Sequence, residues 1–229
     1  MIFTSTLLAE ASGRIGGLIF SHNAGGPYIR AAGTVTNPNT PQQTAVRDIL
    51  SQLTSLWVST LTEAQRDAWA LYAENVSLTN RLGKPINVAG LNQYIRSNVP
   101  IIQSGFARQD AAPTIFDLGD FTAPTSQGFE ASQELSFLFT DTDDWVGEDD
   151  AAMLLYISRP QNASINFFRG PYQFAGSIDG DSTTPPTSPQ LIASPFAIAE
   201  GQRVFTRARV FRADGRLSSE AFFQANVVA

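Results

Sequence analysis

The sequence contains no cysteine, one histidine and one lysine. The lack of cysteine excludes disulfides, thiolate catalysis and cysteine-ligated metals. His22, the one histidine, lies beside turn glycines and has no sequence-adjacent nucleophile or base that would indicate a catalytic triad. We therefore expect a protein that is not an enzyme.

Long apolar runs are also missing, and no segment approaches the length of a membrane span. Residues 1–10 lack the basic region and the long apolar core of a signal peptide. We therefore expect no membrane partner and predict that the protein is made in a cytoplasm.

Positive charge is scarce and comes almost entirely from arginine, since Lys84 is the only lysine among 15 Lys+Arg residues. The formal net charge is −6, with +2 on residues 1–110 and −8 on residues 111–229. Nucleic-acid binding needs a dense basic face, so we expect no nucleic-acid partner. Arginine favours bidentate, partly buried contacts, which are typical of protein interfaces.

What is present is enough for a folded core, because 43% of the 229 residues are hydrophobic and 16% are charged. The residue pattern changes along the chain and predicts an α+β protein. We expect a glycine-rich β-hairpin arm over 1–36, a helical domain over 37–99, a linker over 100–112 and a β-sandwich domain over 113–229.

The sequence predicts the N-termini of two helices. Thr40 followed by Pro41 and Gln43 combines an N-cap, a first-turn proline and a capping box, and Thr62 with Gln65 repeats the capping box. Apolar residues recur at helical spacing after each start, so an αα-hairpin is predicted.

A third helix is expected to follow the hairpin. Asn87 is its predicted N-cap, and the helix should stop before Pro100.

The arm should contain strands at Leu18–Phe20 and Tyr28–Arg30, separated by a turn at Gly25 and Gly26. Two short strands with glycine between them have too few large side chains to build a core of their own. We therefore expect the arm to pack on the helices or to add strands to a neighbouring subunit. The predicted interface residues are Ile19, Phe20, Tyr28, Arg30, Trp57 and Trp69, with the two tryptophans favoured as internal residues.

Residues 113–229 show short apolar segments separated by turns, which is the pattern of a β-sandwich. The predicted strands are Thr114–Phe121, Glu134–Thr140, Ala151–Arg159, Tyr172–Ile178, Leu191–Ala197, Arg203–Ala213 and Leu217–Val228. The last pair, with Asp214 and Gly215 at its turn, resembles the final hairpin of fibronectin type III domains. The resemblance implies an immunoglobulin-like or fibronectin III-like sandwich.

An acidic loop carries Asp141, Asp143, Asp144 and Asp149. Such hard oxygen ligands could bind Ca²⁺, although the spacing is not that of an EF-hand, and a solvated acidic loop is the alternative. Asp143 and Asp149 could also serve as the carboxylate pair of a glycosidase, but loops seldom hold the required separation. We expect no cofactor and favour the solvated loop, with Ca²⁺ as the one candidate ion.

Aromatic residues near the acidic loop and in a later segment are candidates for stacking on a sugar. They are Trp145, within the acidic loop, and Phe167, in an aromatic segment around Arg169-Gly170-Pro171. For the segment around Phe167, the favoured alternative is that its rings belong to the sandwich core and the lip of a loop.

Several motifs in the first half resemble small structural proteins of tailed bacteriophages and prophages, over roughly residues 13–97. They are Gly-Gly-Leu-Ile-Phe-Ser at 16–21, Gly-Pro-Tyr-Ile-Arg at 26–30, Asn-Pro-Asn-Thr-Pro-Gln-Gln at 37–43, and the helical series around Trp57 and Trp69. The resemblance implies a virion component and carries over no catalytic residue.

The function expected from this resemblance is capsid decoration or cementing, and a tail or neck component is the alternative. The implied partners are the major capsid protein or other virion proteins and further copies of the chain, located in the virion. A second hypothesis is a host-surface carbohydrate-binding module that uses the sandwich.

Overall fold

The computed structural model describes residues 11–23, 25–33, 37, 39–80 and 82–229. The parts of the predicted arm at 1–10 and 34–36, and Ala24 in its turn, lie outside the described residues. The chain divides into two compact units between Ile95 and Arg96. The fold is mixed α+β with a β-rich C-terminal part, as expected. None of the helices formed by the described residues is long and apolar enough to cross a membrane.

Two capped helices form the centre of the first unit, as predicted. Helix α1 spans Pro41–Ser59 and helix α2 spans Glu63–Asn75. The Thr40 hydroxyl accepts a hydrogen bond from the Gln43 amide at 3.3 Å, and the Gln43 side chain accepts one from the Thr40 amide at 3.4 Å. Thr62 and Gln65 form the same reciprocal pair. Each capping box satisfies amide groups that the first helical turn leaves free.

Helix α3, Gly90–Gln103, differs from the prediction at both ends. Asn87 does not cap it, because its side chain is bonded to Ser77 at 2.7 Å and to the Glu74 carbonyl at 2.6 Å. The helix also continues through Pro100 rather than stopping before it. The turn after Pro100 is held because both the amide and the hydroxyl of Ser104 donate to the Pro100 carbonyl.

The core of the first unit gathers around Tyr94 on α3. The rings of Trp57 and Trp69 each lie 5.5 Å from the Tyr94 ring, so the predicted tryptophan pair meets through a third aromatic residue. Trp69 and Tyr72 on α2 are fully buried, whereas α1 buries Leu53 alone. The start of α3 approaches α2 closely, since a Cβ on Gly90 would lie 2.8 Å from the Ala70 amide nitrogen.

The arm forms a three-stranded antiparallel sheet in the order β1-β2-β3. The strands are β1 Gly13–Ile15, β2 Leu18–Asn23 and β3 Gly26–Ala31. The β2–β3 hairpin confirms the predicted turn, and β1 is a strand that the sequence pattern did not indicate. None of the residues in these three strands is buried. A separate pair of two-residue strands consists of β4 Leu78–Thr79 and β5 Pro85–Ile86.

The second unit contains one large sheet whose path runs β10-β8-β12-β13-β6-β7-β11, with β9 beside β12. The strands are β6 Thr125–Phe129, β7 Glu134–Leu138, β8 Ala152–Ser158, β9 Gln161–Asn162, β10 Tyr172–Asp179, β11 Gln190–Ala193, β12 Gln202–Phe211 and β13 Ala221–Val228. Neighbouring strands are antiparallel except β13 and β6, which are parallel. The sheet nearly closes, because Ile192 on β11 lies against Gly176 on β10.

Strand β8 lies at the centre of two hydrophobic clusters. Its residues Met153, Leu155 and Ile157 belong to the main core. Ala152, Leu154 and Tyr156 point to the opposite face and belong to a second cluster with Ile101 and Phe211. All seven residues of β8 are buried. Both faces of this part of the sheet are therefore covered, unlike a simple sheet with one solvated face.

The predicted first strand of the sandwich, Thr114–Phe121, is wrong. This segment is a loop in which Ile115 and Phe116 are 50% and 49% exposed, and the first strand is β6. The segment does not pair as a strand, because Gly119 has a φ of +68° and the Asp117 carboxylate is bonded to Arg216, a residue distant in sequence. The domain limits proposed from the sequence stay a prediction, although Ile101 and Phe106 of the expected linker contact the second cluster.

Gly180 occupies a place where a side chain cannot fit. Its amide donates to the Ala151 carbonyl, and a Cβ would lie 2.1 Å from the Trp145 carbonyl oxygen and 2.7 Å from that of Glu148. Because backbone must move, Gly180→Ala should lower the free energy of unfolding by about 1–3 kcal/mol, measured by urea or thermal denaturation. Gly147→Ala is the control, since nothing lies within 4 Å of its Cβ position. Equal stability of the two variants would contradict this account.

Candidate functional site

The arm sheet separates the predicted interface residues onto two faces. Residues directly opposite in an antiparallel pair share a face. Ile19 is paired with Arg30, and Ser21 with Tyr28, so Ile19, Tyr28 and Arg30 share one face. Phe20 is paired with Ile29 and lies on the other face.

The face that carries Phe20 is apolar except for His22, which lies at one end of it opposite Pro27. Leu18 is on this face because it lies two residues before Phe20, and Ile15 is paired with Leu18. Ile15 is 71% exposed and Leu18 is 46% exposed. The structure therefore adds Ile15, Leu18 and Ile29 to Phe20, and the alternation of apolar residues was the signal that could have identified them.

The two predicted tryptophans lie in the interior rather than on this surface. Trp69 is fully buried and Trp57 is half-buried beside Tyr94. A role of either tryptophan at an interface stays a prediction.

The four predicted calcium ligands do not converge. Asp143 accepts hydrogen bonds from the amide and hydroxyl of Thr122 at 2.8 and 2.9 Å. Asp149 accepts the same pair from Ser182 at 2.8 and 2.9 Å. Within the described part of the chain, no three His, Cys, Asp or Glu side chains are placed to hold a metal ion.

The other two acidic residues are also engaged separately. Asp141 accepts from the Ser188 amide at 3.2 Å, and Asp144 lies 3.8 Å from Arg212. The carboxylates therefore join the acidic loop to the loop before β6, to the β10–β11 loop and to the β12–β13 turn. Asp143 and Asp149, the candidate acid–base pair, each hold a different loop.

The β12–β13 turn is fixed by arginine–carboxylate pairs. Arg216 bonds Asp117 at 2.5 Å and Asp214 at 2.7 Å, and Arg212 bonds Glu148. Glu148 also accepts from the Ala213 amide at 3.0 Å. These pairs attach the turn to the loop 114–121 and to the acidic loop.

Ion pairing at this turn changes the acidity of Asp117. Partial burial would raise the pKa of Asp117, but the hydrogen bonds from Arg216 and the Gly119 amide, with the charges of Arg216 and Arg212, outweigh it and lower the pKa below 3.8.

The two predicted sugar-stacking residues have opposite environments. Trp145 is buried to 1% exposure, with its ring 5.4 Å from that of Phe139, so it has no face to offer a ligand. The acidic residues around it in sequence suggested a surface position, which the fold reverses. Phe167 is 73% exposed and lies on a cavity.

That cavity, which we call the aromatic groove, has a volume of about 490 Å³. It lies on the outer side of the β12–β13 region and is lined by Asn166, Phe167, Phe168, Arg169, Tyr172, Phe205, Phe222, Phe223 and Gln224. Phe168 stacks on Phe205 at 5.6 Å and meets Tyr172 edge-on at 5.4 Å. The size falls within the ~300–1,000 Å³ of ordinary small-molecule sites.

A partly buried cation, Arg207, stiffens the base of the groove. The Arg207 guanidinium lies 4.2 Å from the Tyr156 ring centre and 5.5 Å from that of Tyr172, and it bonds Glu220 at 3.0 Å. Such cation–π contacts hold both rings in place. Burial raises the pKa of Tyr172, partly offset by the Arg207 charge, so its hydroxyl stays neutral.

The loop over the groove is anchored from below. Arg203 donates to the Ile165 carbonyl at 2.9 Å and to the Asn166 side chain at 2.6 Å. The Tyr172 hydroxyl donates to the Phe168 carbonyl at 3.3 Å. The loop that carries Phe167 and Arg169 is therefore bonded before Phe167 and again at Phe168, between the two residues.

The sequence pattern indicated the residues of only one wall of this groove. The segment containing Phe167 and Arg169 stood out by composition, whereas Phe222 and Gln224 come from β13, more than fifty residues later. The signal for them was the alternation in β13, where Phe222 and Gln224 are exposed and Ala225 and Val227 are buried.

Comparison of the chain with protein-family models, with curated proteins and with solved structures gave no match.

The ionised form of Asp117 should stabilise the second unit at neutral pH. Because its pKa is lowered on folding, this contribution is complete above 3.8 and is lost as the pH falls through the lower folded value. Asp117→Asn should therefore lower the unfolding temperature at about pH 6, and the difference from wild type should shrink below pH 3.8.

The control for this measurement is Asp120→Asn, which changes an exposed carboxylate that makes no ion pair among the described residues. Scanning calorimetry from neutral to acid pH measures both variants. A difference between Asp117→Asn and wild type that is independent of pH would contradict the assigned role.

Proposed function

We propose that the protein is a non-enzymatic structural component of a tailed-bacteriophage virion that decorates or cements the capsid. The motifs at 16–21, 26–30 and 37–43 that resemble phage structural proteins all lie in the first unit. The proposal places the attachment to other virion proteins in that unit.

The observation that carries the proposal is the arm sheet. It has three strands, no buried residue, and an apolar face on which Ile15 and Leu18 are exposed. A small sheet of this kind is marginal by itself, and its edge can pair with another chain. A partner that covers this face would supply the missing core.

Helix α1 supports the same assignment. Of its 19 residues only Leu53 is buried, and Val58 is 74% exposed. Further copies of the chain, or the major capsid protein, would cover these apolar side chains and stabilise the helix by burial.

Cementing then works by mass action. A subunit that binds the assembled shell and not its free parts shifts the equilibrium toward the shell. The acidic surface of residues 111–229 would keep the outer part soluble. A tail or neck position would use the same attachment and remains the alternative. We place the protein in the virion after synthesis in the host cytoplasm.

We also propose that the second unit is a sandwich of the immunoglobulin or fibronectin type III kind. The pairings support two groups, β6-β7-β11 and β13-β12-β8-β10. Leaving aside the two-residue β9, constant immunoglobulin domains put the fourth strand in the sheet of the first, second and fifth. Here the fourth strand, β10, pairs with the third, β8, and this variation favours the fibronectin III-like form.

Light scattering of the full chain tests the role of the arm. We expect an oligomer, and Ile15→Asp/Leu18→Asp should reduce its mass toward the monomer because two carboxylates would be buried. The matched control is Ile115→Asp/Phe116→Asp, a neighbouring pair of similar mean exposure in the second unit, which should keep the wild-type mass. A monomeric wild type, or an unchanged mass for the arm variant, would contradict self-association through this face.

Mass spectrometry of purified virions tests the location directly. Particles from a strain that carries the gene should contain the protein at a fixed ratio to the major capsid protein. Its absence from intact particles would overturn the virion assignment, and its presence only in isolated tails would favour the tail alternative.

A further inference from the structure

The aromatic groove is not used by the proposed assembly role, which lies in the first unit. We propose that it binds a carbohydrate whose sugar ring carries a carboxylate. The inference is drawn from the second unit alone and does not depend on the virion assignment.

The walls of the groove offer flat apolar faces to solvent. Phe167 is 73% exposed and Phe222 is 60% exposed, and both line the same cavity with Tyr172. Exposed aromatic rings that converge on one cavity mark an interaction site rather than isolated surface residues. The C–H face of a sugar ring is flat and apolar, and it packs well against such rings.

The rim of the groove is polar, and this excludes a wholly apolar ligand. Asn166 and Gln224 provide amides that donate and accept hydrogen bonds, and Arg169 provides a planar guanidinium. A hydrocarbon chain would cover these groups without bonding them, which costs free energy. Sugar hydroxyls, which also donate and accept, would satisfy them.

Charge decides which carbohydrate fits. None of the nine lining residues is acidic, and Arg169 is exposed with no hydrogen bond or ion pair among the described residues. The nearby Arg203 and Arg207 are already bonded to Asn166 and Glu220. Arg169 is thus a cation available for a bidentate bond to one carboxylate.

The surrounding charge limits the ligand to few anionic groups. Residues 111–229 carry a net charge of −8, so a polyanion would meet repulsion over the rest of the unit. A single carboxylate next to Arg169 forms a short-range ion pair. Its repulsion from the more distant acidic groups is screened by salt. Sialic acids and uronic acids have this combination of ring and carboxylate.

The groove is suited to bind without large rearrangement. Arg203 and Tyr172 hold the loop that carries Phe167 and Arg169, and Arg207 fixes the aromatic base. A preformed site loses less conformational entropy on binding than a mobile loop would.

Calorimetric titration of the full chain tests the proposal with two pairs of probes. They are sialyllactose against lactose, and galacturonic acid against galactose, so that each acidic probe carries a single carboxylate. At least one acidic probe should bind, and its neutral counterpart should bind about threefold to fivefold more weakly, since one exposed ion pair is lost. No binding of either acidic probe, or equal affinity within each pair, would overturn the proposal.

Variants then assign the binding to the groove. Phe167→Ala and Phe222→Ala should each weaken the acidic probe up to about tenfold, while Phe116→Ala, also an exposed phenylalanine, should have no effect. Arg169→Gln should remove the preference for the acidic probe, and Lys84→Gln should leave it unchanged. Because these side chains are exposed, unchanged unfolding temperatures are expected and serve as the folding control. Binding that survives both phenylalanine substitutions, or an acid preference that survives Arg169→Gln, would contradict the assigned site.

Discussion

Burial of β8 on both faces is the constraint on which the second unit depends. One face of this strand packs into the main core, and the other packs against Tyr172, Phe174 and the end of α3. The need to bury this second face explains why residues 101–106 pack on the sheet and why aromatic side chains gather on its outer side. The aromatic groove lies farther along this outer side, where the covering layer ends and the rings are left open to solvent. The aromatic layer that buries the outer face of β8 thus continues into the exposed rings of the groove.

Polar contacts in the second unit join loops that have no regular secondary structure. Asp143, Asp149 and Glu148 each accept a backbone amide from a distant loop, and Arg212 and Arg216 attach the last turn. Charge-assisted bonds to amides are stronger than neutral ones, so a few of them can fix a long connection. The acidic residues of the loop are therefore engaged in bonds to other parts of the same unit. Among the residues that the structure describes, the arm of the first unit has no comparable network, and Ile15 and Leu18 on its apolar face are exposed.

Features coded by neighbouring residues could be predicted, and features made by distant ones could not. The starts of α1 and α2 followed from Thr40 and Thr62, because a capping box is complete within four residues. The loop at 114–121 was mistaken for a strand because its apolar residues mimic a strand, whereas its shape is set by Arg216, about a hundred residues later. Trp145 was misplaced for the same reason, since its burial depends on Phe139 and strands of the core. Only Phe167, Arg169 and their neighbours marked the groove in sequence, because the opposite wall comes from β13.

The parallel pairing of β6 with β13 brings together the first and the last strands of the second unit. In every other pairing of the main path, the two strands lie closer together in sequence. During synthesis on the ribosome, β6 can pair with β7 early, but its other edge must wait until nearly the whole unit has emerged. For that interval Thr125–Phe129 presents open backbone groups to any strand nearby. The order in which the strands emerge thus sets an interval during which this edge of β6 is open to pairing with a neighbouring nascent chain.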